Sequence, residues 1–179
     1  MLVIGITGGL STGKSSVAKM LKAKGASIID ADLIAHDLLS QKGACYQTIV
    51  KKFGRDILDG NQINRGQLAR IVFNDRRKLE QLERIIHPKV KIKVLEEIKS
   101  INKKSADAVV VMDVPLLFEA GMQSLADYIV VVKSIKKNQI SRAVNRLGIS
   151  PLQVQKRIDA QMPLREKVKK GDFVIINNK

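Results

Sequence analysis

The sequence predicts an α/β protein of three layers, a five-stranded parallel sheet flanked by helices, with a long helical insertion. Two observations carry this expectation. The segment Gly8-Gly9-Leu10-Ser11-Thr12-Gly13-Lys14-Ser15 satisfies G-x-x-x-x-G-K-[ST] at every fixed position, between an apolar run and a helical stripe. Four more short apolar runs follow, at 27–32, 108–113, 128–132 and 172–177, separated by helical patterns as in a series of βαβ units.

Leu2-Val3-Ile4-Gly5-Ile6-Thr7 is the first of the buried-strand runs. After it, Gly8 and Gly13 permit backbone angles that a Cβ would forbid, so successive N–H groups curl round a phosphate. Lys14 supplies a charge for the β- and γ-phosphates, and Ser15 offers a hydroxyl to Mg²⁺. The helix that follows aims its positive end at the same anion. Val17, Ala18, Met20 and Leu21 give that helix its stripe, and Gly25 its stop. The loop from Gly8 to Ser15, with Ser16, is therefore expected to bind a nucleoside triphosphate.

Ser27-Ile28-Ile29-Asp30-Ala31-Asp32 reads as a second strand ending in two carboxylates. In an extended chain Asp30 and Asp32 fall on one side, at the strand end where open α/β sheets place ligands. An acid there accepts a proton from an attacking hydroxyl or holds a Mg²⁺ water. Equally, it caps the helix that Leu33-Ile34-Ala35 and Leu38-Leu39 begin. From Leu33 to Lys104 strand signals vanish, an insertion of roughly seventy residues and far longer than an ordinary crossover. Within it Asn64 caps a helix over Arg65–Phe73. Leu79, Leu82, Ile85 and Ile86 form a stripe that Pro88 interrupts before Val90, Val94, Leu95 and Ile98 resume it. In a kinase such an insertion holds the acceptor; its plainer role is helical packing alone. His87 is either a contact for a substrate phosphate or a cation at a helix end.

Ala108–Asp113 is the third strand, closing on an acid suited to the Mg²⁺ shell. Pro115 fixes the following loop, Glu119 adds another acid, and Leu117 and Phe118 are core or a wall of the acceptor pocket. Tyr128–Val132 is the fourth strand. The next helix carries Ile140, Ala143, Val144 and Leu147 on one stripe, with Arg142 and Arg146 together on another, exposed face. These arginines either clamp the transferring phosphoryl group or form a solvated basic face. Pro151 opens a helix carrying Arg157, Pro163 breaks the pattern, and 172–177 is the fifth strand.

The net charge of +15 is unevenly spread: 16 basic and 9 acidic residues in 31–105, 11 and 3 in 135–179, but 1 and 4 in 106–134. The two basic stretches flank the second half of the core and suit any polyanion, including a phosphorylated small molecule. One cysteine, Cys45, excludes an internal disulfide. No apolar run approaches the ~18 residues of a membrane span and no leader pattern opens the chain. The expectation is a cytoplasmic protein with no membrane partner.

Over nearly its whole length the chain resembles the dephospho-CoA kinase family. The resemblance rests on the loop from Thr7 to Ser15, Ile29-Asp30-Ala31-Asp32, Asn64-Arg65 with Ile71-Val72-Phe73, and His87-Pro88. It continues through Pro115-Leu116-Leu117-Phe118-Glu119, Arg157 with Ala160-Gln161-Met162-Pro163, and Asp172-Phe173-Val174-Ile175. It implies a P-loop kinase fold and a single kinase domain. Its core would be 1–32, 105–134 and 166–179, its CoA-binding insertion 33–104 and its lid 135–165. It implies ATP and Mg²⁺, and phosphorylation of the ribose 3′-hydroxyl of dephospho-CoA to give CoA and ADP. The partner expected is this small molecule and no nucleic acid, with a monomer as the default oligomeric state.

Under this resemblance Asp32 orients or deprotonates the 3′-hydroxyl. Lys14 and the loop amides stabilise the phosphates, Ser15 holds Mg²⁺ directly and Asp113 through water. Arg142 and Arg146 close from the lid, while Arg65, His87 and Arg157, with Leu117 and Phe118, contact the acceptor. Three positions depart from the family pattern. Ser11-Thr12 replaces the common Gly-Ser, so Ser11 must take up the loop's backbone angles. His36 stands where Arg is usual, and the chain runs to Asn177-Asn178-Lys179 where many members carry a further helix. Two other readings stand beside this one: a P-loop kinase for another nucleotide or small alcohol, and a nucleic-acid-stimulated ATPase. The near absence of aromatics for base stacking speaks against the last.

Overall fold

The computed structural model describes residues 1–178. The chain runs β1 (Leu2–Gly8), α1 (Lys14–Ala23), β2 (Ser27–Asp30) and α2 (Ala31–Leu39). It continues with α3 (Tyr46–Phe53), a short hairpin of β3 (Leu58–Asp59) and β4 (Gln62–Ile63), α4 (Arg65–Val72) and α5 (Arg76–Lys104). It returns through β5 (Val109–Asp113), β6 (Tyr128–Lys133), α6 (Lys136–Leu147), α7 (Pro151–Asp159), α8 (Leu164–Lys170) and β7 (Phe173–Ile176).

Five strands form one parallel sheet in the order β2-β5-β1-β6-β7. The runs of β5, β1 and β6 are the central strands, and both faces of the sheet are covered there. Val110 and Met112 enter the larger core shared with the insertion, while Val111 between them packs with Ile6, Val17 and Val132 beneath α1. All of these except Val17 have no exposed surface, which is why the strands read as unbroken Val/Ile runs instead of alternating ones. The register sets Asp113 beside both Ile6 and Asp30. Two acids and the start of the glycine loop therefore meet at one edge of the sheet. The edge strand β7 leaves Phe173 and Ile176 largely exposed.

Three local expectations are corrected. The second strand stops at Asp30, because the Asp30 carboxylate accepts a hydrogen bond from the Leu33 N–H and caps α2. Asp32 consequently lies in the first helical turn, and the two acids do not share one side of an extended chain. Pro88 does not interrupt the stripe: α5 is one helix of 29 residues, roughly 44 Å long. Proline removes one ladder bond there, but Leu79, Val90, Val94 and Ile98 bury the same face on both sides of it. The insertion also contains the β3–β4 hairpin, turning at Gly60 with φ 57°. Two residues per strand are too few for alternation to register.

Among the described residues, no helix is long and apolar enough to cross a membrane.

Candidate active site

The loop between β1 and α1 is shaped by what cannot fit there. A Cβ on Gly8 would stand 2.2 Å from the Val132 carbonyl oxygen, and one on Gly13 would stand 2.1 Å from Asn177 Nδ2. Gly13, at φ 97°, is the N-cap of α1 and offers no side-chain acceptor, so the first amides of the helix stay available to an anion. Ser11 takes φ 53°, the one positive value outside glycine among the described residues, and its buried hydroxyl has no hydrogen-bond partner. Thr12 Oγ1 and Lys14 Nζ both donate to the Gly9 carbonyl, at 3.1 and 3.0 Å. These contacts fold the lysine over the loop.

Lys14 is nearly enclosed, and burial lowers its pKa to about 8 even though Asp113 and then Asp32 pull it back up. Asp113, also buried, is pushed up to about 6 by desolvation, against the attraction of Lys14. Its Oδ1 has no hydrogen-bond partner. Asp32 is raised for the same first reason; Lys14, Arg146 and Arg65 oppose the shift and Asp30 adds to it. The cluster is therefore a lysine and two acids of overlapping fields, with arginines from α4 and α6 at its rim.

Beside it opens a cavity of about 340 Å³ between the sheet edge and the insertion. Asp32 and Leu10 form the end nearest the loop. Leu68, Val72, Leu79, Leu82 and Ile86 from the insertion line it, together with Val114, Pro115 and Leu116 from the chain after β5. Arg65, His87, Glu83, Gln161 and Arg157 supply the polar groups. An apolar chamber with a few polar groups at defined points is the usual form of a small-molecule site. Arg157 lies over the Phe73 ring at 5.1 Å, joining α7 to the end of α4. His87 sits inside α5, which overturns the helix-end reading; its pKa is lowered by burial and pulled back by Glu119.

A family model described as dephospho-CoA kinase matches residues 2–179. A dephospho-CoA kinase of Carboxydothermus hydrogenoformans is 45% identical over 177 residues, covering 98% of this chain and 85% of the relative. One from Fusobacterium nucleatum is 42% identical, covering 99% and 90%. The chain belongs to the dephospho-CoA kinase family. The fold agrees: a solved dephospho-CoA kinase from Campylobacter jejuni superposes with a TM-score of 0.68 at 29% identity, covering 99% of this chain and 88% of that one. A crystal structure from Thermus thermophilus gives 0.79 at 31% identity, with 99% and 89% covered. Membership makes the chain a phosphotransferase with an alcohol acceptor, and the nucleic-acid-stimulated ATPase falls away as its identity.

Set within this kinase family, the structure changes several residue assignments. Leu117 has no exposed surface and packs against Gly5 in the core, and Phe118 packs against the same core; neither lines the cavity. The wall comes from the three residues before them, because the chain turns at Val114–Leu117 with a backbone bond from the Leu117 N–H to the Val114 carbonyl. Arg142 is not on an exposed face. It is half-buried against the loop and reaches the Ser11 and Asn177 carbonyls and the Ser134 hydroxyl at 3.4 Å, while Arg146 is exposed.

Two residues come into view only in three dimensions. Asn177 donates from its side chain to the Thr12 carbonyl at 3.0 Å, tying the end of β7 to the loop. Lys167, without exposed surface, donates to the Pro115 carbonyl at 2.7 Å and pairs with Glu119 at 2.8 Å. The spacing from Leu164 to Lys167 could have signalled an inward position on α8, but lysine in a basic segment reads as surface.

Proposed function

We propose that this chain transfers the γ-phosphoryl group of ATP to the ribose 3′-hydroxyl of dephospho-CoA, with Asp32 at the reacting hydroxyl. The observation that carries this is the double position of Asp32, which lines the acceptor cavity and shares a field with Lys14 of the phosphate loop. A carboxylate with a raised pKa is a better proton acceptor than an ordinary aspartate. The charges of Lys14, Arg146 and Arg65 oppose that rise and favour the ionised form.

In this reading residues 33–104 bind the acceptor and residues 135–165 form the lid. Arg142 already rests on the loop, and Arg146 meets the negative charge that accumulates during transfer. The loop amides and Lys14 hold the triphosphate, with His87 and Arg157 on the acceptor side. Mg²⁺ fits the residues present: Ser15 presents an exposed hydroxyl beside the loop, and the orphaned, buried Asp113 Oδ1 suits an outer-shell water. The ion would neutralise phosphate charge. The buried single thiol of Cys45 suits the reducing cytoplasm.

Turnover of dephospho-CoA, compared with a panel of nucleoside monophosphates in an ADP-coupled assay, tests the substrate. Rapid transfer to dephospho-CoA is expected. Turnover of the panel with none of dephospho-CoA would overturn the assignment.

A further inference from the structure

The glycine loop is held from outside by the residue that follows the last strand. Beyond Ile176 the ladder to β6 continues for one more step, with the Asn177 N–H donating to the Lys133 carbonyl at 2.8 Å. That bond brings residue 177 to the end of the sheet where the loop begins, because β6 runs beside β1 up to the Gly8–Val132 pair. The half-buried Asn177 side chain then donates from Nδ2 to the Thr12 carbonyl at 3.0 Å. It fits there because residue 13 is glycine; a Cβ at that position would meet Nδ2 at 2.1 Å. The Asn177 carbonyl in turn accepts from both terminal nitrogens of Arg142 at 3.4 Å, and the same guanidinium reaches the Ser11 carbonyl at 3.4 Å.

These contacts bear on the direction of the loop's N–H groups. In a trans peptide the N–H points opposite to the C=O, and the described residues include no cis bond. Holding the Thr12 carbonyl toward Asn177 therefore aims the Gly13 N–H away from β7. Glycine takes either sign of φ at little cost, so without a holder the plane between Thr12 and Gly13 is free to turn over. Among the described residues, the N–H groups of Gly13, Lys14 and Ser15 donate to no protein group. They are the donors that an anion at the start of α1 takes up.

We infer that Asn177 is a positioning residue for the phosphate loop: by holding the Thr12 carbonyl outward, it presents the Gly13 N–H to the triphosphate. This rests on the loop holding the triphosphate of ATP. Asn178, the next residue, serves the start of α6 instead. Its Oδ1 accepts the Ile135 N–H at 3.1 Å and its carbonyl accepts from Asn138 Nδ2 at 2.9 Å. Loosening the join between β7 and α6 is thus separable from releasing the loop.

The test compares the full chain as wild type, Asn177→Ala and Asn178→Ala. The readouts are ATP binding by calorimetry, inhibition by inorganic triphosphate, and KM for dephospho-CoA. Asn177→Ala should weaken ATP and inorganic triphosphate by the same factor, roughly three- to ten-fold for one lost hydrogen bond. Its KM for dephospho-CoA should stay within about two-fold of wild type, a split that general loosening of the fold would not give. Asn178→Ala should leave all three within about two-fold. Unchanged ATP binding in Asn177→Ala, a loss for ATP without one for inorganic triphosphate, or an equal loss in Asn178→Ala would overturn the inference. If wild type binds ATP and Asn177→Ala binds it equally well, only the role of Asn177 is lost. If wild type binds neither ATP nor inorganic triphosphate, the triphosphate reading of the loop fails and this inference with it.

Discussion

Lys167 and Glu119 form a buried ion pair of 2.8 Å that joins α8 to the loop after β5, with Lys167 fully enclosed. The same Glu119 oxygen accepts the Met162 N–H at 2.9 Å, and the Pro115 carbonyl receives both Lys167 and Thr7. One pair thus braces a cavity wall and the chain between α7 and α8. Removing one partner strands a buried charge. Lys167→Met should lower the unfolding free energy by about 3–5 kcal/mol, and Lys167→Met combined with Glu119→Gln should recover a large part of it. Urea titration of the two variants measures this; equal losses in both would show that packing, not charge, dominates the site.

Ser11 carries the left-handed backbone that its loop position imposes, and its hydroxyl is buried without a partner. A side chain at such an angle costs about 1–2 kcal/mol, partly offset in a glycine variant by the looser unfolded chain. Ser11→Gly should therefore stabilise the ligand-free protein by ~0.5–1 kcal/mol while leaving ATP affinity within about three-fold. Thermal unfolding and calorimetric titration check the two halves separately.

Asp113 gives the ligand-free protein a pH dependence of definite sign. Its folded pKa, about 6, lies above the ordinary 3.8, so its contribution to stability is full below 3.8 and is lost as pH rises through 6. Asp113→Asn keeps the neutral shape at every pH. Relative to wild type the variant should gain ~1–3 kcal/mol between pH 3.5 and pH 7.5 in the absence of nucleotide and Mg²⁺. Unfolding free energies at the two pH values decide it, and a constant difference would mean that folding does not shift the Asp113 pKa.

Much of this was legible in the chain because it depends on local demands. A loop that wraps a phosphate needs glycine at fixed points, and a strand buried on both faces needs an unbroken apolar run; both signals are one-dimensional. The end of β2 was less legible because Asp30 and Asp32 are equally good caps by residue type, and only the Leu33 N–H chooses between them. Leu117 and Phe118 read equally as core or as pocket wall, and only the turn after β5, which sends them inward, decides for the core. Lys167 and Asn177 were missed for another reason. Their partners, Glu119 and Thr12, lie 48 and 165 residues away, and no periodicity spans such distances.

Asp32 is the residue common to the phosphate cluster and the cavity beside it. The most direct measurement is the turnover of Asp32→Asn on dephospho-CoA, set beside its affinity for ATP by calorimetry. Loss of a general base that also orients the hydroxyl should lower kcat by roughly 10²–10⁴-fold, with the ATP dissociation constant within three-fold of wild type. Turnover at the wild-type rate would contradict the account, because the cavity and the loop would then meet at a carboxylate the chemistry does not use.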